Sequence, residues 1–108
     1  MTKITFYQGV DGSFHGFRSQ DHAGYSAEGQ DIVCAAVSAL VINFVNSLDE
    51  LTDDHYQIDV NQENAEIDVV FTEELSHDGS LLLRSLILGL TSVEEEHEQY
   101  LDVIFKEV

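Results

Sequence analysis

Apolar side chains along this chain recur at two different periods, and the order in which those periods alternate leaves few folds open. Ile4 and Phe6 alternate with polar neighbours, Asp11-Gly12 offers a turn, and Phe14, Gly16 and Arg18 resume a period of two opposite His15 and Phe17. That pattern predicts an opening β-hairpin. From Asp21 to Gly29 the period lapses around Gly24 and Gly29, which reads as a loop. Val33, Val37, Leu40, Val41, Phe44 and Leu48 then recur by threes and fours, the spacing of one helical face. Tyr56, Ile58 and Val60 return to alternation, Asn61 to Asn64 form a turn, and Ile67, Val69 and Phe71 predict a second hairpin. A second helix is expected to begin near His77 to Ser80, capped by Asp78 or Ser80, with Leu82, Leu86, Leu90 and Val93 as its buried stripe. The acidic run Glu94, Glu95, Glu96 and Glu98 is expected to be solvated, and Leu101, Val103 and Phe105 line a closing strand.

The predicted order is ββαββαβ: an α/β (α+β) two-layer sandwich, with two helices against a mixed or antiparallel sheet. Residues 1–108 form one domain, since a chain of 108 residues buries a single core. Tyr56, Ile58, Ile67 and Val69 offer more apolar strand surface than two helices cover, which predicts a homodimer.

The charge narrows the function. Four basic residues against 21 acidic ones give a formal net charge of -17. So little Lys and Arg argues against direct nucleic-acid binding and favours a basic partner. No apolar run is expected to reach the roughly 20 residues that span a bilayer, so no membrane role is predicted. The N-terminus lacks the layout of a secretory signal, and a single cysteine suits a reducing cytoplasm.

That cysteine, Cys34, falls where the loop becomes the first helix. With a helix start at Gly29 or Gln30, unpaired N–H groups of the first turn favour a thiolate, so Cys34 is expected to titrate below an ordinary thiol. The competing reading is a small apolar residue packed in a core. His22, in the glycine-flanked segment, is the candidate base for a Cys-His pair, the alternative being a surface loop histidine. Asp31 and Ser38, three residues before and four after Cys34, share its helix face. Asp31 would repel the thiolate, and assists only by holding a His22 imidazolium or capping the helix, whereas Ser38 can donate to the sulfur or to a carbonyl. His15, His55, His77 and His97 fall on separate elements without metal-ligand spacing, so neither a metal nor a cofactor is predicted.

The stretch from His22-Ala23 through Gly29-Gln30-Asp31-Ile32-Val33-Cys34-Ala35-Ala36-Val37-Ser38-Ala39 resembles the signature of the ribosomal-processing cysteine protease (Prp) family. "FVNSL" at Phe44 to Leu48 and "LTSVEEEHEQY" at Leu90 to Tyr100 extend the likeness over nearly the whole chain. The resemblance implies a cytoplasmic, homodimeric endopeptidase. Its substrate would be a large-subunit ribosomal protein, from which it removes a short N-terminal extension ending in a hydrophobic, Phe-containing motif. It places the nucleophile on Cys34 and the base on His22, with Asp31 and Ser38 accessory. Apart from the resemblance, the two glycines and few core side chains of the segment carrying Ala23, Gly24, Tyr25 and Gly29 predict a loop that gates the substrate. The family often has glycine before its histidine, where this chain has Asp21. Two other readings stand beside it: a non-enzymatic acidic dimer that shields a basic ribosomal protein during assembly, and a thiol sensor.

Overall fold

The computed structural model describes residues 1–21, 28–63 and 65–108, with 28 and 29 given by backbone alone. Along the chain run β1 (Thr2–Gln8), β2 (Phe14–Asp21), α1 (Glu28–Leu51), β3 (Tyr56–Asn61), β4 (Glu66–Phe71), α2 (His77–Glu96) and β5 (Leu101–Glu107). The order ββαββαβ is the one the apolar periods predict. The five strands form one mixed sheet in the order β3-β4-β2-β1-β5, antiparallel throughout except for the parallel pair β1 and β5. Each helix occupies a crossover between strands that run the same way, so both stack on one face of the sheet.

The first hairpin turns where Asp11-Gly12 predicts. Asp11 Oδ1 accepts from the Ser13 amide at 3.0 Å and from the Ser13 hydroxyl at 2.7 Å, while Gly12 takes a left-handed φ of 88°. The alternation inside β2 differs from the sequence reading. The register shifts between Tyr7 and Gln8, so that Tyr7 pairs with Gly16 and Gln8 with Phe14. The extra residue, His15, turns Phe14 to the same side as Phe17. Phe14 then meets Phe6 edge-on at 6.2 Å, and Phe17 packs on Phe6, Phe44 and Phe71.

The core lies between that sheet face and the helices. Val33, Val37, Val41, Phe44 and Leu48 of α1 pack with Leu83, Leu86 and Leu90 of α2 over Ile4, Phe6, Phe17, Val69 and Leu101. The stripe of α1 is the expected one except that Leu40 is only partly buried, whereas α2 buries Leu83 where Leu82 was expected, and Leu82 and Val93 are only partly buried. Contrary to the sequence expectation, Gln30–Leu51 is long and apolar enough to cross a membrane. In this fold its valine and phenylalanine stripe packs on the sheet.

Ser76 caps α2, not Asp78 or Ser80. Its hydroxyl accepts from the Gly79 amide at 3.0 Å, and Asp54 in turn accepts from the Ser76 hydroxyl at 2.8 Å. Glu94 also departs from the expected solvated face: its carboxylate accepts from the Val103 amide at 2.6 Å and ties the end of α2 to β5.

Tyr56, Ile58, Ile67 and Val69 all lie on the helix side. Their register partners there include Phe71, Phe17 and Ser19. The opposite face is mostly polar, crossed by an Arg18–Asp68 ion pair at 2.6 Å, with Val70 half-exposed among its acids. The excess apolar surface therefore sits at the edge strand β3, which overhangs α1 with Ile58 46% and Val60 53% exposed.

Candidate active site

Cys34 sits at the flank of α1's buried stripe, directly after Val33, and its partly buried thiol opens onto a groove of about 250 Å³. Cys34, Val37 and Ser38 wall the groove on the helix side; Ser19 and Asp21 form its β2 side; Val60 and Ile67 give it an apolar floor. The i, i+3 and i+4 spacing of a helix brings Cys34, Val37 and Ser38 to one wall. The β3–β4 hairpin supplies the other. A larger depression, of about 670 Å³, lies at the opposite end of β2 beside His15 and Arg84 and contains no cysteine.

The thiol has a specific partner that sequence reasoning assigned to a loop. Asp21 is the last residue of β2, paired with Thr2 of β1, and its amide donates to the Ala65 carbonyl at 3.1 Å. Cys34 Sγ donates to Asp21 Oδ2 at 3.0 Å, and Thr2 Oγ1 donates to Asp21 Oδ1 at 3.3 Å. Behind them Gln30, one helical turn before Cys34, donates to Thr2 Oγ1 at 3.0 Å and reaches the Tyr100 carbonyl at 3.5 Å. The result is a continuous chain, Gln30 to Thr2 to Asp21 to Cys34.

Its charge reverses the expected ionisation of Cys34. The hydrogen bond to the Asp21 carboxylate, then burial, then the negative charge of Asp21 push the thiol above its ordinary value. The Ser38 hydroxyl opposes them, and the charge of Asp31 adds to them. The helix terminus is also too far away to compensate. α1 begins at Glu28, so Cys34 lies in the second turn, where its own N–H belongs to the helical ladder.

Of the residues singled out in the sequence, Cys34 and Ser38 share the groove, and Asp31 is exposed on the same helix. Gly29 is helical, within the first turn of α1. His22, Ala23, Gly24 and Tyr25 lie outside the described residues. Sequence reasoning missed Thr2 and Gln30; the only local signal was a glutamine four residues before the cysteine.

A family model for cysteine proteases matches residues 1–102, which sets the class: a peptidase whose nucleophile is a thiol. The chain belongs to the Cysteine protease Prp family. The Ribosomal processing cysteine protease Prp of Bacillus subtilis is 27% identical over 107 residues, covering 95% of this chain and 96% of that one. Its namesake in Staphylococcus aureus is 26% identical over 85 residues, 79% of this chain and 80% of that one. Among solved structures, the S. aureus protease in complex with a substrate peptide superimposes with a TM-score of 0.92 at 22% identity, covering 98% of this chain and all of that one. SMU.848 from Streptococcus mutans gives a TM-score of 0.85 at 26% identity, covering all of this chain and 96% of that one.

Proposed function

We propose that this cysteine protease removes the short N-terminal extension of a large-subunit ribosomal protein, with Cys34 as nucleophile and His22 as base. The observation that carries the reading is the Cys34 thiol opening onto a groove floored by Val60 and Ile67, which suits the apolar side chains of such an extension. A net charge of -17 would draw in a basic ribosomal protein, with an on-rate that falls as salt rises. His22 takes the thiol proton and Cys34 attacks the scissile carbonyl. The protonated His22 then hands its proton to the leaving amine, and water resolves the thioester. Ser38 is the accessory donor beside the sulfur, and Asp31 acts through its charge.

A cytoplasmic setting and a homodimer belong to the same reading, the dimer being supported by the overhang of Ile58 and Val60. Substrate gating by the segment that holds Tyr25 rests on the sequence alone. Amide exchange from Ala23 to Glu28, with and without an uncleavable peptide, tests it: protection should rise on binding. Incubation with a peptide carrying the extension tests the activity itself. The wild-type chain should cleave it, and Cys34→Ala should not. Equal cleavage by Cys34→Ala would remove the protease reading.

A further inference from the structure

Both oxygens of the Asp21 carboxylate are committed: one accepts the Cys34 S–H and the other the Thr2 hydroxyl. Thr2 is 2% exposed and is itself held by Gln30, 9% exposed, so the carboxylate is pinned from the core side and cannot turn freely to solvent. Two elements bring titratable groups toward the sulfur, Asp21 from β2 and Asp31 from α1 itself, while Glu66 of β4 turns its carboxylate to the Gln20 amide on the opposite face of the sheet. Both are acids, and no Lys or Arg is among the described residues that line the groove.

We propose that Asp21 is a positioning residue for the nucleophile: pinned by Thr2 and Gln30, its carboxylate receives the Cys34 proton in a hydrogen bond, directs the sulfur, and sets when the thiolate forms. The proposal rests on the reading of Cys34 as nucleophile. In the free enzyme the sulfur keeps its proton. When the base removes it, S–H is broken, the electron pair stays on sulfur, and a second negative charge forms beside the carboxylate. Such a thiolate is scarcer but more nucleophilic, because nucleophilicity rises with thiol pKa at a Brønsted slope of about 0.4–0.5. At 3.0 Å even water-like screening leaves a carboxylate–thiolate repulsion equivalent to about tenfold in the ionisation equilibrium.

The test is the pH dependence of iodoacetamide alkylation of Cys34, the one cysteine of the chain. Asp21→Asn keeps the shape, removes the charge and offers an N–H to the sulfur. Its midpoint should fall by about one unit or more, while the limiting rate at high pH drops about threefold. Near neutral pH the net rate should rise about threefold, the product of those two opposing changes. Asp21→Ser, without charge or amide, should move the midpoint in the same direction if the Asn variant folds poorly. A loosened structure would raise access at every pH and could not lower the limiting rate. A midpoint that stays put or rises in a folded Asp21 variant overturns the proposal. Cleavage plays no part in this titration, so failure of the protease reading shows in Cys34→Ala and failure of this one in the midpoint.

Discussion

Replacing Thr2 by Val keeps the side-chain shape and deletes the hydroxyl at the centre of the polar chain behind Cys34. In the wild type that hydroxyl accepts from Gln30 at 3.0 Å and donates to Asp21 at 3.3 Å, at a position only 2% exposed. Its loss leaves the Gln30 amide in a buried site with a single long acceptor, the Tyr100 carbonyl at 3.5 Å. An unsatisfied buried donor costs about 1–3 kcal/mol, and that remaining contact favours the lower half of the range. For a domain near this size each kcal/mol lowers Tm by about 4–8 °C, so Thr2→Val should melt about 4–15 °C below wild type. Urea unfolding followed by circular dichroism should show a lower midpoint with an unchanged slope. Thr2→Ser should recover most of the loss. The double variant Thr2→Val/Gln30→Met should recover much of it too, because removing both partners leaves nothing unsatisfied. If Thr2→Val is as stable as wild type, or if the double variant loses the sum of the two single losses, the buried chain is not coupled and the reasoning fails.

Other expectations follow from neighbouring features. Leu90→Ala, at a residue 0% exposed between the helices, should destabilise by about 2–5 kcal/mol in the same urea titration. Ser76→Ala removes the cap of α2 and the hydroxyl's bond to Asp54, leaving the Ser76 amide on that carboxylate, and should cost about 1 kcal/mol in thermal melts. Gly16→Ala should unfold at lower temperature, because its Cβ would run into the Val69 carbonyl of the paired strand. Because Cys34 titrates higher when folded than when unfolded, its contribution to stability is complete below the ordinary thiol value of about 8.5. It is lost as pH rises through the folded value, so Tm should fall across that alkaline window in wild type and less in Asp21→Asn.

Both helices and all five strands were legible because each carries its own period over at least three turns or pairs. The misses have local causes. Phe14 was placed opposite Phe17 because strict alternation cannot register the extra residue at His15. The apolar period of α2 starts too late to reveal Ser76 as its cap, and the acceptor role of Glu94 depends on where β5 returns. Cys34 stands out in the sequence as the single cysteine, and helical spacing is enough to put Ser38 beside it on the wall of one groove. Asp21 was read as loop and Thr2 not at all. Their meeting depends on the pairing of β1 with β2 across the hairpin, which no short window of sequence contains.

The parallel pairing of β1 with β5 has a consequence for how the enzyme is born. Thr2, which holds the Asp21 carboxylate, is itself held from the far side: its amide donates to the Tyr100 carbonyl at 2.8 Å, and it lies in register with Leu101. During synthesis the helix bearing Cys34 and the strand bearing Asp21 emerge from the ribosome long before β5 does. Until that last strand zips onto β1, the nascent chain carries its cysteine without the framework that orients it. Closing so non-local a pair is among the slower steps of folding. Maturation of the site is thus timed by the arrival of β5 rather than by the synthesis of its own residues.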